Sequence, residues 1–131
     1  MWSMDETLQN KRILVTIRNT RPDVLIVRYQ DQSVQDEKAM LTGGRQGDLL
    51  ELNVIRGGSV VYLPSYFLIP LHPTRDKQSV IALEGPHKGQ AFKTMKRSDS
   101  PAFFDVSPIA VRKRKAVTTI ESKQLVLFDQ R

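Results

Sequence analysis

Short runs of alternating, β-branched-rich residues, each closed by a turn signal, recur along the chain, and no stretch of about 12 residues holds a helical period. Such a pattern restricts the chain to an all-β fold. The first run spans Arg12 to Arg18, where Ile13, Val15 and Ile17 alternate with Leu14 and Thr16. A turn at Asn19 to Pro22 and a second alternating run from Val24 to Tyr29 then predict a hairpin. The polar, acidic stretch Asp31 to Glu37 reads as a loop. Leu49 to Ile55 and Ser59 to Leu63 flank Arg56-Gly57-Gly58, a tight-turn sequence, and predict a second hairpin.

The segment Leu63-Pro64-Ser65-Tyr66-Phe67-Leu68-Ile69-Pro70 has the form of a barrel exit, in which a short helical turn after Pro delivers the chain to a closing strand. His72 to Asp76 is Pro-containing and charged and reads as a linker. Strand patterns restart at Ser79 to Leu83, turn at Glu84 to Gly89, and continue through Ala91 to Met95. After a turn at Arg97 to Pro101 come Ala102 to Val106, Val111 to Thr119 and Leu125 to Phe128. The expected architecture is therefore all-β, as tandem small SH3-like barrels. It comprises an N-terminal arm (1–10), a first barrel (11–71), a linker (72–77) and a second barrel (78–131). The halves share an element order without a clear residue-level repeat.

With 131 residues, one ordinary domain and two very small ones are both open on length alone. Cysteine is absent, which removes disulfides, thiolate metal sites and cysteine nucleophiles. The N-terminus MWSMDETLQN lacks a signal peptide's basic start and apolar middle, and no apolar run approaches the ~20 residues of a membrane span. A soluble protein of the nucleus or cytoplasm, without membrane partners, is expected. Arg131 ends the chain without a recognisable terminal motif, so a whole protein and an excised segment of a larger one are both open.

Charge is unevenly placed. Residues 1–71 hold eight Lys/Arg and eight Asp/Glu, whereas residues 72–131 hold twelve and six, so the whole net charge of +6 belongs to the second half. A polyanionic partner and a merely solvated basic face are both compatible with that distribution.

The stretch Val80-Ile81-Ala82-Leu83-Glu84-Gly85-Pro86-His87-Lys88-Gly89-Gln90-Ala91-Phe92-Lys93 couples an apolar strand to a glycine-bounded basic turn and a second strand. Gly85 and Gly89 permit positive φ, Pro86 stiffens the loop, and Lys88 falls at its tip. A plain turn between strands is the bland alternative. The stretch resembles the KOW motif of ribosomal proteins and NusG-type factors. With Gly57 to Pro64 and Leu68 to Pro73 as the exit from a preceding unit, it is most similar to the tandem KOW series in the large subunit of the eukaryotic elongation factor DSIF. By that analogy Thr42 to Asp48 stands for the corresponding turn of the first unit.

The resemblance implies a non-catalytic module of a transcription elongation factor, in the nucleus, that binds RNA or DNA without sequence specificity, RNA polymerase, or other transcription proteins. It names Lys88, Lys93, Lys96 and Arg97 as the basic contacts, neutralising phosphates rather than reading bases. Arg112, Lys113, Arg114 and Lys115 either join that surface, act as a nuclear localisation patch, or form a solvated loop.

Phe92, Phe103 and Phe104 are expected to pack a small core, with the adjacent Phe103 and Phe104 pointing to opposite faces. Tyr62, Tyr66 and Phe67 suit a peptide groove on an SH3- or Tudor-like interaction module, which is the alternative function. Catalysis is not expected. His72 and His87 each lie beside Pro without a carboxylate at a metal-ligand spacing, and no nucleophile has a base and an orienting partner, so neither metal nor cofactor is predicted.

Overall fold

The computed structural model describes residues 8, 11–20, 23, 25–97, 102–109 and 117–129, with Lys96 and Arg97 described in their backbone only. The fold is all-β and antiparallel, and it divides into two compact units, Met1–Leu71 and His72–Arg131. Of the N-terminal arm, Leu8 alone is described, and it is fully buried.

In the first unit the strands are β1 (Leu14–Ile17), β2 (Arg28–Tyr29), β3 (Gln32–Ser33), β4 (Lys38–Gln46), β5 (Leu49–Val54), β6 (Val60–Leu63) and β7 (Leu68–Pro70). Five of them form a sheet in the order β6-β5-β4-β1-β7, while β2 and β3 make a separate ribbon. The second unit contains β8 (Ser79–Ala82), β9 (Ala91–Arg97), β10 (Phe103–Pro108), β11 (Thr118–Glu121) and β12 (Leu125–Leu127), in the order β11-β10-β9-β8-β12. Strand for strand, the two orders are the same. Among the described residues neither sheet is closed by hydrogen bonds, since β6 and β7 remain the edges of one and β11 and β12 of the other.

The last strand of each unit is introduced by the same local device. Pro64 and Glu121, both extended, precede 3₁₀ turns at Ser65–Phe67 and Ser122–Gln124, and the next residue, Leu68 or Leu125, donates its N–H to the serine carbonyl. The turn carries the chain from one edge of the sheet to the other without reversing its sense, so that β7 lies antiparallel to β1, with Ile17 opposite Leu68, and β12 lies antiparallel to β8, with Ala82 opposite Leu125.

Period-two patterning explains the cores. Val15 and Ile17 of β1, Ala39 and Leu41 of β4, Leu50, Leu52 and Val54 of β5, and Val61 and Leu63 of β6 are all buried. In the second unit Val80, Ala82, Phe92, Phe104, Val106, Ile120 and Leu125 form one cluster, against which Leu127 packs. The registers superimpose these sets: Val15 pairs with Ala39 as Val80 pairs with Phe92, and Leu50 pairs with Leu63 as Phe104 pairs with Ile120.

Two expectations from sequence need correction. Val24 to Tyr29 does not form a hairpin with β1, which pairs instead with β4 and β7. The alternation there is misleading, because Leu25 is 89% exposed and Ile26 46%, and among the described residues of the run only Val27 is buried. In its described residues the connection 18–37 is a hydrogen-bonded arm: the Gln35 side-chain carbonyl accepts the N–H groups of Asn19 and Val27, and Asp36 N–H bonds to the Ile17 carbonyl at 2.7 Å.

The second correction concerns Thr42 to Asp48. Its first five residues belong to β4, and Gly47 and Asp48 turn between β4 and β5. In the first unit, the connection that corresponds to 83–90 is the arm 18–37.

The expected linker is hydrogen-bonded into the second unit. His72 Nδ1 donates to the Leu125 carbonyl at 2.7 Å, Pro73 is buried, and Lys77 N–H reaches the Thr94 carbonyl at 2.7 Å. Thr94, 1% exposed, receives the Gln78 N–H on its hydroxyl at 2.8 Å and donates that hydroxyl to the Arg75 carbonyl at 2.9 Å.

Candidate nucleic-acid interface

The loop joining β8 to β9 is closed at its base by two backbone bonds, Gly89 N–H to Ala82 O at 2.9 Å and Ala82 N–H to Gln90 O at 3.2 Å. Within it, Lys88 N–H bonds to Gly85 O and Gln90 N–H to His87 O. Gly85 and Gly89 hold φ of +85° and +84°, the left-handed region that a side chain disfavours, so the glycines are what allow the chain to turn twice here.

Opposite sides of the loop are fixed differently. Leu83 is buried and donates its N–H to the Gln124 carbonyl at 2.7 Å, and the half-buried His87 ring stands edge-on to buried Phe92, at 5.8 Å and 89°. With His87 turned toward the core, the neighbouring Lys88 is exposed at the tip. Lys93 is exposed on β9, between Ser79 and Ser107 in the register, while its sequence neighbours Phe92 and Thr94 point inward. Of the eight expected basic contacts, these two have described side chains. Lys96 and Arg97 continue β9 opposite Asp105 and Phe104, and Arg112, Lys113, Arg114 and Lys115 lie outside the described residues.

The aromatic residues divide between core and surface. Phe92 and Phe104 are buried, and Phe103 faces the other way and is half-buried. In the first unit Tyr66 and Phe67 pack edge to face at 4.7 Å, and the Tyr66 carbonyl accepts the Thr20 hydroxyl. Tyr62 is tied to a carboxylate: its hydroxyl donates to Glu51 Oε2 at 2.5 Å, and the Thr42 hydroxyl donates to Glu51 Oε1 at 2.6 Å. These bonds, that of Thr42 first, hold the Glu51 carboxyl below its ordinary pKa, and the bond to Glu51 pushes the Tyr62 phenol up. An equivalent pair occurs in the second unit, where the Thr119 hydroxyl donates to Asp105 Oδ1 at 2.7 Å across β10 and β11.

Sequence reasoning missed a groove beside the loop. A cavity of about 320 Å³ opens between the β8–β9 connection, β10, β11 and the second 3₁₀ turn, lined by Pro86, His87, Phe103, Gln124 and the carboxylate residues Glu84 and Glu121. Among its described lining residues there is no Lys or Arg. Phe103 and Glu121 are direct cross-strand partners. Only the pairing of β10 with β11 brings them together, so no local motif marks the site.

No protein-family model matches this chain, and no curated protein matches it. Among the described residues no helix is long and apolar enough to cross a membrane.

Proposed function

We propose that the chain is a non-catalytic nucleic-acid-binding module in which the second unit offers its β8–β9 loop to phosphates. The observation that carries this reading is the loop itself: a non-helical, glycine-bounded turn anchored inward by His87 and Leu83, with Lys88 exposed at the tip and Lys93 exposed on the adjoining strand. A pre-formed turn spares the backbone ordering cost when its lysine meets a phosphate, and several such contacts release counterions from the polymer.

On this reading each unit is an SH3-like small barrel, and the second is of the KOW kind. The common strand order, the crossing of the last strand back to the first, and the 3₁₀ turn before it support that assignment. The resemblance extends the proposal to a transcription elongation factor of the nucleus, with RNA polymerase as a further partner.

Fluorescence titration with single-stranded RNA, duplex DNA and an RNA–DNA hybrid tests it. Binding is expected to weaken linearly in log–log form with salt, and Lys88→Ala with Lys93→Ala to reduce the slope for a single strand by about 1.4, at ~0.7 per phosphate contact. Failure to bind any of the three tighter than ~100 μM at low salt would place the affinity below ordinary non-specific association and refute the reading.

A further inference from the structure

We propose that the groove between the β8–β9 loop and β11 is a second, independent binding site, which takes an arginine side chain from a partner protein. The inference goes beyond nucleic-acid binding and concerns the groove that this loop forms with β10 and β11 rather than its exposed lysine. The half of the chain that carries it holds twelve basic and six acidic residues, yet two of those acids, Glu84 and Glu121, line this one cavity without a described Lys or Arg among them. A phosphate would be repelled there. A cation is drawn in.

The remaining lining selects among cations. Phe103 is half-buried and stands directly across from Glu121 in the β10–β11 register, which sets an aromatic ring and a carboxylate side by side. Pro86 and the half-buried His87 add apolar surface on the loop side. A guanidinium is planar and weakly hydrated. It can lie on an aromatic ring while its edge donates two hydrogen bonds to a carboxylate, whereas an ammonium keeps its water and makes point contacts.

Glu121 already attracts one cation: Lys123 Nζ lies 3.6 Å from its Oε2, with the lysine side chain 71% exposed. A pair whose lysine end is largely in solvent, at a separation of 3.6 Å, contributes little and yields to a cation that is also held by the ring.

The test is an amide NMR titration of the full chain at about 0.15 M salt, near physiological screening. The probe is an acetylated and amidated peptide of alternating glycine and arginine, compared with the lysine and citrulline versions. Shifts are expected at Glu84 to His87, Phe103 and Thr118 to Gln124, with affinity falling from arginine to lysine to the uncharged citrulline. Glu84→Gln with Glu121→Gln should weaken the arginine peptide about tenfold, the loss of ~1.4 kcal/mol. Phe103→Leu, which keeps an apolar side chain but removes the ring, should weaken it about threefold or more. Lys88→Ala with Lys93→Ala should leave peptide affinity unweakened, so this site and the loop can fail separately. Equal binding of the citrulline peptide, shifts outside the groove, or no shifts at millimolar peptide would overturn the proposal. So would a result in which Phe103→Leu weakens single-stranded RNA but not the peptide, because the groove would then hold a base.

Discussion

Thr94→Val is a nearly isosteric change that isolates what ties the entry segment to the second unit. The hydroxyl accepts the Gln78 N–H at 2.8 Å and donates to the Arg75 carbonyl at 2.9 Å, and valine can do neither. Thr94 is 1% exposed and Gln78 half-buried, so the Gln78 amide loses its partner where water reaches it poorly; Arg75 is exposed, and its carbonyl recovers a bond to solvent. The cost is therefore that of one unsatisfied buried donor, about 1–2 kcal/mol.

For a unit of this size each kcal/mol lowers the melting temperature by about 4–8 °C, which predicts a drop of roughly 4–15 °C by thermal unfolding. Amide exchange gives a sharper readout. Gln78 should exchange about tenfold faster in the valine variant if local opening becomes easier by ~1.4 kcal/mol. Thr94→Ser provides the control, since it loses a methyl group, at about 1 kcal/mol, but keeps the hydroxyl and hence the protection of Gln78. A valine variant as stable as the parent, with Gln78 still protected, would refute the argument. Leu41 occupies the corresponding position in the first unit, where it is buried.

Three further outcomes are expected. The lowered pKa of Glu51 means that its contribution to stability is present above the ordinary carboxylate range and is lost as pH falls through the lowered folded-state value; Glu51→Gln should flatten this acid limb in pH-dependent denaturation. The raised Tyr62 pKa works oppositely: its contribution is present below the ordinary phenol value and lost as pH rises through the raised one, and Tyr62→Phe should remove that alkaline limb and move the Glu51 carboxyl back toward its ordinary value in an NMR titration. Phe104→Ala empties the largest inward position of β10 and should cost about 3–5 kcal/mol. That is comparable to the whole stability of a domain of this size, and collapse of amide dispersion between Ser79 and Leu127 would report it.

Local chemistry carried much of the fold into the sequence. Alternation in Arg12 to Arg18 and Leu49 to Leu63 marked β1, β5 and β6, because a strand with one face on a core must alternate. Gly85 and Gly89 marked the turn that exposes Lys88, because two positive-φ positions are a property of the residues themselves. The 3₁₀ turn after Pro64 was legible for a similar reason, whereas its counterpart at Ser122–Gln124 follows a glutamate and carries no such sign.

Pairing was decided elsewhere. Val24 to Tyr29 has the composition of a strand, but β1 found β4 and β7 as partners, and the intervening arm is held by the Gln35 side chain together with backbone bonds such as Val34 N–H to Val27 O and Asp36 N–H to Ile17 O. The kinship of the two units is equally hidden: equivalent core positions are separated by arms of different length, 18–37 in one and 83–90 in the other, so no constant period survives. Neither the meeting of Phe103 with Glu121 nor the closure of Thr42 and Tyr62 on Glu51 is encoded at short range, since each needs strands to be brought into one register. Backbone angles and face alternation are settled within a few residues, but which distant side chains become neighbours depends on the burial of the whole sheet, and that free energy belongs to the assembled unit rather than to any segment.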